Sequence, residues 1–294
     1  MIRFGGPILA PGRAAAGRSE SHGAQAFDLD ALVAAHIARG YRAAYAPQVS
    51  LDDHARVAEV REAFVAADVV LAEVQCWNNL LDPDPQVRQR NREQVVEALA
   101  LADELGAVCA LDTVGSFAPQ SLNHHHPDNF SSEAFDAGVE TARYILDAVK
   151  PTRAFFAYEV LAMHVLDGPD AIEAMVRAVA RPRFAVHLDL VNLVSCPRTY
   201  WRNGSLAQEC VRRFGEHIVA AHAKDVLLED DCDTVHLDET RPGLGNLDYR
   251  SYLAALAALP HTVTLLMEHL ESDAEYEAAA RHIRHEAQAV GVEI

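Results

Sequence analysis

The sequence predicts one α/β domain over residues 1–294, folded as a (β/α)8 TIM barrel. Eight short apolar segments alternate with eight amphipathic segments along the chain, which is the order of repeated βα units. Polar residues stand at the C-terminal ends of several predicted strands, where barrels of this kind carry their chemistry. The turn at Gly5-Gly6-Pro7 lacks the glycine spacing of a phosphate-binding turn, which disfavours an open, doubly wound sheet with the same alternation.

The elements follow one another with sensible boundaries. The predicted strands begin near Ile2, Arg42, Val69, Ala107, Ala154, Phe184, Ile218 and Val263. The predicted helices span residues 29–39, 52–66, 86–105, 132–149, 170–179, 206–214, 249–259 and 274–290. Gly40 and Gly106 suit helix ends, Pro85 suits a first helical turn, and Ser272 with Glu275 matches a capping box. No linker, low-complexity tract or repeat interrupts the pattern, which favours a single domain.

Composition limits the classes of partner and compartment. The formal net charge of -18 argues against nucleic acid or an anionic membrane surface as the main partner, because both select clustered Lys and Arg. The five cysteines are widely spaced without a Cys-x-x-Cys pair, which favours a reducing cytoplasm over a disulfide framework. The sequence contains no apolar run of about 18 residues and no secretory signal pattern. We therefore expect a cytoplasmic protein without a membrane span.

The strand predicted at residues 184–189 carries unusual polar residues. Val186 and Leu188 share one face, whereas His187 and Asp189 share the other. An apolar outer face explains the first pair. Burying a histidine and an aspartate on the inner face costs several kcal/mol unless each finds a hydrogen bond, a charged partner or a metal.

Three other predicted strands end in matching residues. Glu159 and Glu268 close two of them, and His222 lies near the end of a third. Together with Asp189 they predict an oxygen-rich site with one nitrogen, suited to Mn2+, Mg2+ or Co2+ and usable by Zn2+. A buried ion network without metal is the alternative interpretation of the same four residues.

The second half of the chain resembles the superfamily of sugar isomerases and epimerases with a xylose isomerase-like barrel. The matching residues are Tyr158-Glu159, His187-Leu188-Asp189, His222-Ala223-Lys224-Asp225, the run from Pro242 to Tyr249, and Glu268-His269. Their order and spacing agree with the superfamily from about Phe155 to the C-terminus. The motifs are specific for the superfamily and do not identify a substrate.

The resemblance implies a mechanism. Glu159, Asp189, His222 and Glu268 would hold one divalent metal, with Mn2+ as the first candidate, and the two glutamates would also move protons. A sugar isomerase or epimerase working through a cis-enediolate follows, acting on a keto or aldo sugar or a sugar acid. The resemblance also implies a small carbohydrate substrate and a homo-oligomer.

The chain departs from the superfamily at Asn192. Many relatives carry a substrate-contacting histidine three residues after the metal-binding aspartate, and an amide cannot act as an acid in its place. Asn192 is therefore expected to bind substrate by hydrogen bonding, and His187 to take a larger catalytic role unless it is a satisfied barrel histidine. The departure keeps a metal-dependent lyase open, acting by elimination or decarboxylation on an oxidised sugar.

Further residues complete the predicted pocket. Lys224 shares the inner face with His222 and could stabilise an oxyanion, or form an internal salt bridge. Arg241 lies in a predicted long loop after the seventh strand and could bind a carboxylate or phosphate, or be solvated. Trp77 could offer an aromatic face to a sugar, or pack. Asp112 and the histidines at 124 to 126 could form the far side.

Two other functions use the same barrel. An abasic-site endonuclease would bring more metal ligands and a basic groove, and the acidic composition disfavours it. A barrel that has lost catalysis would not need four aligned ligands.

Overall fold

The structure is a computed structural model that describes residues 1–9, 27–119, 121–122 and 124–294. Its strands are β1 (Ile2–Gly5), β2 (Ala43–Tyr45), β3 (Val70–Gln75), β4 (Cys109–Asp112), β5 (Phe155–Glu159), β6 (Phe184–Asp189), β7 (Ile218–Ala223), β8 (Asp225–Leu228), β9 (Leu237–Thr240) and β10 (Val263–Met267). Its α-helices are α1 (Leu29–Ala38), α2 (His54–Ala66), α3 (Pro85–Leu105), α4 (Ser132–Val149), α5 (Pro169–Val179), α6 (Pro197–Tyr200), α7 (Asn203–Phe214), α8 (Tyr249–Ala257) and α9 (Asp273–Ala289). Short 3-10 helices lie at Pro127–Phe130, Val191–Leu193 and Gly215–His217.

Eight parallel strands close into a barrel in the ring order β1-β10-β7-β6-β5-β4-β3-β2. This arrangement confirms the predicted (β/α)8 fold. Every residue of β4, β6, β7 and β10 is buried, as expected for strands covered by helices outside and by side chains within. None of the helices in the described part of the chain is long and apolar enough to cross a membrane.

The barrel interior is filled by small side chains at its centre. A cluster of inward-facing residues on four neighbouring strands comprises Cys109, Leu111, Ala157, Ala185, Val219 and Ala220. Gly5 permits the close approach of β1 to β2, because a Cβ atom there would lie 1.8 Å from the Ala43 carbonyl oxygen. The larger apolar core lies between the strands and the surrounding helices.

The segment after β7 differs from its predicted form. The sequence predicts a long loop, whereas β8 and β9 form an antiparallel hairpin that pairs Asp225 with Thr240. Both strands are short and partly exposed, with polar residues at many positions, so their sequence pattern resembles that of a loop. Helix α7 also begins earlier than predicted, at Asn203, after the unpredicted short helix α6.

Helix ends largely follow the predicted boundary residues. Pro85 is the first residue of α3, and Gly106 caps its end in the left-handed conformation at φ 68°. Ser272 caps α9 by accepting from the Glu275 N–H at 3.4 Å. The predicted capping box is half formed, because the Glu275 carboxylate accepts from the N–H of Glu271 instead of Ser272.

Candidate metal centre

Four predicted ligands meet at the C-terminal rim of the barrel. Glu159, Asp189, His222 and Glu268 each offer one donor atom, and these atoms lie within 4.8 Å of one another. Their strands β5, β6, β7 and β10 are consecutive in the ring, and register places Asp189 beside His222. The strand ends are separated widely in sequence but lie at one rim because the strands are parallel.

The cluster is centred on the imidazole of His222. Its Nδ1 atom lies 2.9 Å from Glu268 Oε1, 3.4 Å from Glu159 Oε1 and 3.5 Å from Asp189 Oδ2. Burial alone lowers the pKa of His222, but the charges of Glu268 and Glu73 outweigh burial and raise this pKa well above its usual value. The surrounding carboxylates therefore favour a cation at this point.

The residues fit a divalent cation. Four buried carboxylates, those of Glu73, Glu159, Asp189 and Glu268, accompany one buried ammonium, that of Lys224. Three of the facing atoms, Asp189 Oδ2, His222 Nδ1 and Glu268 Oε1, have no well-aligned hydrogen-bond partner within the described chain. Buried carboxylates in excess of cations are costly, and three oxygens with one imidazole nitrogen suit a hard or borderline divalent ion.

Lys224 is tied to the same carboxylates. Its Nζ atom lies 2.5 Å from Glu268 Oε1, 2.8 Å from Asp189 Oδ2 and 3.4 Å from Glu239 Oε2. Burial opposes these charges, but their mutual attraction outweighs it. The pKa of Lys224 is raised well above its usual value, and the pKa values of Glu268 and Asp189 are lowered. The internal salt bridge is thus present, and an additional catalytic role for Lys224 stays a prediction.

Glu239 is a rim residue that was not predicted from the sequence. This residue lies on β9 of the hairpin, and its Oε1 atom is 2.7 Å from Nδ1 of His269. His269 follows Glu268 directly and has φ 59°, a left-handed conformation that is uncommon outside glycine. The hairpin thus contributes a carboxylate to the rim of the barrel. The surrounding sequence is polar and resembles a loop, so nothing in it distinguishes Glu239 from the neighbouring acidic residues.

Glu73 lies beneath the four ligands and was not a predicted site residue. It is 1% exposed on β3, and its Oε1 atom lies 2.9 Å from Nε2 of His187. Its Oε2 atom lies 3.4 Å from Nε2 of His222. Burial disfavours the charged carboxylate, but His222 and His187 outweigh burial and lower the pKa of Glu73 to about 2. The sequence signal that could have identified Glu73 is a charged residue in a strand that is expected to be buried on both faces.

His187 lies below the cluster and not at the open mouth of the barrel, where a group that contacts substrate would be expected. Its side chain is fully buried, and its ring packs edge-on against that of His222 at a centroid distance of 4.1 Å. Its Nε2 atom contacts Glu73, so the imidazole meets the cluster from below. A catalytic role for His187 stays a prediction, and so does the alternative of a satisfied barrel histidine, because its buried Nδ1 atom has no hydrogen-bond partner among the described residues.

Asn192 contacts two of the candidate ligands. Its amide nitrogen donates to Glu159 Oε1 at 3.0 Å and to the Val160 carbonyl at 3.3 Å, and its backbone N–H donates to Asp189 Oδ1 at 3.2 Å. The side chain therefore orients Glu159. Its predicted contact with substrate stays a prediction.

The other predicted pocket residues lie in different surroundings. Asp112 is fully buried and accepts backbone N–H groups of Asn78 and Thr113, and burial raises the pKa of its carboxyl well above its usual value. Trp77 has φ 52° and packs on the apolar cluster of the barrel interior. Arg241 donates to the Pro242 carbonyl at 3.4 Å. Their binding of substrate stays a prediction.

Helix α8 holds the ligand strands from outside. The Tyr252 hydroxyl lies 3.1 Å from the Leu188 carbonyl and 3.2 Å from the His222 carbonyl. The Tyr249 hydroxyl donates to the Lys224 carbonyl at 2.7 Å. These buried contacts fix the backbone next to Asp189, His222 and Lys224, which limits movement of the ligand atoms.

Asp225 organises the loop that carries the Pro-Gly-Leu-Gly motif. Its buried carboxylate accepts the backbone N–H groups of Val226, Gly243, Gly245 and Leu247 at 2.8, 2.9, 3.2 and 2.8 Å. Four donors on one carboxylate explain why this loop can leave the hairpin and return to α8 with its backbone satisfied.

Comparison with known proteins identifies the barrel. The family model described as xylose isomerase-like TIM barrel matches residues 19–286. No curated protein sequence matches the chain.

Solved structures resemble the chain over most of its length. A D-psicose 3-epimerase from Clostridium cellulolyticum H10, solved with D-tagatose, has a TM-score of 0.69 at 13% identity, covering 99% of this chain and 100% of that chain. A xylose isomerase-like TIM barrel protein from Mycobacterium smegmatis in complex with magnesium has a TM-score of 0.62 at 16% identity, covering 88% and 87%. The probable 3-DHS dehydratase AsbF from Bacillus anthracis has a TM-score of 0.63 at 11% identity, covering 88% and 93%. At these identities the likeness shows a shared fold.

Proposed function

Because the chain belongs to the xylose isomerase-like TIM barrel family, we propose that it is a divalent-metal-dependent isomerase or epimerase. Its substrate is a keto or aldo sugar or a sugar acid, and its reaction moves a proton through a cis-enediolate. The observation that supports this proposal is the convergence of Glu159, Asp189, His222 and Glu268 within 4.8 Å at the catalytic rim of the barrel.

The four residues divide into two pairs by accessibility. Glu159 and Glu268 are 6% and 8% exposed, whereas Asp189 and His222 are 0% and 1% exposed. A group that exchanges a proton with substrate must reach the open side of the site, and a group that only holds a metal need not. This difference supports the two glutamates as the proton-transfer pair.

The residues can carry out the proton transfers as follows. When bound, a divalent cation would polarise a substrate carbonyl and the neighbouring hydroxyl, which acidifies the C–H bond between them. One glutamate removes this proton, and the C–H electron pair moves toward the carbonyl oxygen to give the enediolate. The other glutamate, or the same one, returns a proton to that carbon or to its neighbour. The receiving carbon decides between epimerisation and isomerisation.

The local charges support these roles. The charges of His222 and Lys224 outweigh burial and hold the pKa of Glu268 well below its usual value, so Glu268 is ionised at neutral pH, as a base requires. Asn192 fixes the rotamer of Glu159 through the 3.0 Å hydrogen bond to Oε1. Lys224 is close enough to Glu268 and Asp189 to balance their charge while substrate is absent.

We infer Mn2+ as the first candidate metal, with Mg2+, Co2+ and Zn2+ as alternatives. Three carboxylate oxygens and one imidazole nitrogen suit all four ions, and geometry alone does not choose among them. The presence of magnesium in the Mycobacterium smegmatis barrel supports a hard divalent ion in this fold.

A metal-dependent lyase acting on an oxidised sugar is the second candidate. The observation that favours it is the engagement of the Asn192 amide by Glu159 and Val160, in the position where many relatives carry a histidine. An elimination would begin with the same proton abstraction, and the enolate would then expel a leaving group from the neighbouring carbon, with a proton supplied to that group by an acid of the site. A decarboxylation would begin instead with cleavage of the bond to a carboxylate beta to a keto group; its electron pair moves toward the keto oxygen, and the resulting enolate is protonated at carbon. The dehydratase among the similar barrels supports this chemistry on the fold.

The first experiment measures metal content in protein purified without chelator. We expect about one divalent ion per chain, lost in Glu159→Gln and Asp189→Asn. Glu140→Gln, on the exposed side of α4, is the matched control and should retain the metal. Metal-free wild-type protein that also fails to bind Mn2+ on titration would refute the proposed function.

The second experiment separates the two reactions. Loaded protein is incubated with ketoses, aldoses and oxidised sugars, and the products are analysed by mass spectrometry and by NMR in D2O. A product of unchanged composition that has gained solvent deuterium at carbon supports the isomerase or epimerase. A product that has lost water or carbon dioxide supports the lyase.

A further inference from the structure

One further buried carboxylate, that of Glu73, lies beneath the proposed metal ligands, on the opposite wall of the barrel from His222. Glu73 projects inward from β3, whereas His222 projects inward from β7. The Glu73 carboxylate is surrounded by three nitrogen atoms. Nε2 of His187 lies 2.9 Å from Oε1, and Nε2 of His222 and Nε2 of Gln75 each lie 3.4 Å from Oε2. A buried carboxylate at this depth needs such donors, because nothing else compensates the loss of water.

An ionised carboxylate only accepts hydrogen bonds. Each imidazole nitrogen that faces Glu73 must therefore carry a proton. For His222 this requirement places the proton on Nε2 and leaves Nδ1 toward Glu159, Asp189 and Glu268. Once its own proton is displaced, Nδ1 is then the atom whose lone pair can bind a cation.

We propose that Glu73 is a positioning residue for the metal centre, which fixes the ring orientation and the Nε2–H tautomer of His222 so that Nδ1 binds the metal. The inference rests on the proposed function in one respect, since it requires a metal at His222. It adds a residue from β3 to a site whose candidate ligands come from β5, β6, β7 and the end of β10. Histidine ligands depend on such an outer carboxylate for orientation and basicity.

The packing around His222 explains why a tautomer lock is needed. The ring of His187 lies edge-on against it at 4.1 Å, and the ring of Tyr45 lies at 6.5 Å. These contacts restrict the plane of the imidazole. They do not distinguish the two nitrogen atoms by charge, and the hydrogen bond to Glu73 supplies that distinction.

A second metal at Glu73, His187 and His222 is the competing interpretation, because these residues also lie within 4.8 Å of one another through their donor atoms. His222 would then have to bind one ion through each nitrogen, which requires an imidazolate. Besides His222, this second group offers only Glu73 and His187 as ligands among the described residues. The hydrogen-bonded arrangement is therefore favoured, and metal stoichiometry tests it.

The test compares full-length wild type with Glu73→Gln. An amide has one acceptor oxygen, so its NH2 group must face Nε2 of one histidine and force that ring toward the other tautomer. We expect Glu73→Gln to bind Co2+ and Mn2+ roughly 10- to 100-fold more weakly than wild type, with an altered Co2+ absorption spectrum. Thr264→Val is the matched control, since Thr264 is buried on the inner face of β10 with no hydrogen-bond partner for its hydroxyl among the described residues.

A second readout does not depend on the variant folding. Nitrogen-15 NMR of the histidine rings in wild-type protein loaded with Zn2+ should show a protonated Nε2 and a metal-bound Nδ1 for His222. The opposite assignment would overturn the inference.

The outcomes separate the inference from the proposed function. Wild-type protein that binds no divalent metal would overturn both. One ion per chain with equal affinity in wild type and Glu73→Gln would overturn only the positioning role. Two ions per chain, one of them lost in Glu73→Gln, would replace the positioning role by a second metal site. One ion per chain with weakened binding in Glu73→Gln alone supports the inference.

Discussion

Oε1 of Glu268 lies 2.5 Å from Nζ of Lys224 and 2.9 Å from Nδ1 of His222. One carboxylate oxygen thus faces both an ammonium group and the imidazole that would bind a metal. A divalent cation that enters the site must share this oxygen with Lys224 or displace the Lys224 ammonium group from it. The balance between Lys224 and the metal is therefore open to experiment.

Replacing Lys224 with Met should have opposite effects on stability and on metal response. The variant leaves Asp189 and Glu268 buried without their ammonium partner, which we expect to cost about 3–5 kcal/mol in the metal-free protein. The metal then meets no competing cation, so saturating Mn2+ should raise the Tm of Lys224→Met more than that of wild type. Differential scanning calorimetry with and without Mn2+ measures both effects.

The sequence contains a convenient control for this experiment. Its two lysines are Lys150 and Lys224, and Lys150 is exposed at the end of α4. Lys150→Met should change neither the Tm of the metal-free protein nor its response to Mn2+ appreciably. An equal Tm increase on Mn2+ addition in Lys224→Met and wild type would contradict the proposed competition.

Metal affinity should fall as the pH falls. The raised pKa of His222 in the metal-free protein means that Nδ1 holds a proton that the metal must displace. Below this pKa the apparent Kd for Mn2+ should rise by about tenfold for each pH unit. Isothermal titration at pH 8, 7 and 6 measures the slope, and His54→Gln on the exposed start of α2 should share it. An unchanged Kd across this range would argue against His222 as a ligand.

His164 should make the fold sensitive to acid independently of metal. The side chain is buried, and burial lowers its pKa to about 4 despite a partly compensating contact with the Leu122 carbonyl. As the pH falls below the unfolded value of about 6.5, the unfolded chain takes up a proton that the folded chain resists. The resulting loss in the free energy of unfolding grows down to about pH 4 and reaches about 3 kcal/mol.

The variant His164→Phe should remove this component. Urea unfolding at pH 7, 5.5 and 4.5 should show a smaller decline in the variant than in wild type, whatever its stability at pH 7. Equal declines would show that the acid sensitivity comes from other groups.

Asp225 should be critical for the loop that follows the hairpin. In Asp225→Asn, the amide NH2 would face two of the four backbone N–H groups that the carboxylate now accepts. We expect a loss of at least about 2 kcal/mol in the free energy of unfolding. Asp238→Asn, on the exposed face of the same hairpin, is the control. Urea unfolding that gives equal stabilities for the two variants would contradict the anchoring role.

The convergence of the four candidate ligands could be predicted from sequence because these residues violate a strong expectation. A strand buried on both faces should be apolar, so Asp189 and Glu268 at strand ends required an explanation. Their common position at the C-terminal rim follows from the parallel arrangement. Lys224 could be predicted to lie on the inner face with His222 because side chains two residues apart in a strand point to the same face.

The remaining contacts depend on distances across the barrel, which local pattern does not encode. Glu73 lies on a strand whose inward polar residues could have met any of several partners, and only ring closure brings it to His222. Glu239 lies on a short, partly exposed strand that resembles a loop. The engagement of Asn192 by Glu159 likewise depends on how the turn after β6 folds back over β5.

The order of the strands in the ring also determines when the complete site can form during folding. The four predicted ligands lie on or directly after the consecutive strands β5, β6, β7 and β10, whereas β3 is four strands from β7 in either direction around the ring. A partly assembled barrel containing only the ligand strands would hold every donor atom but would lack the contact between Glu73 and His222. Tight metal binding would then arise only with the last strand pairings, so the metal would preferentially stabilise the fully closed ring over its open precursors.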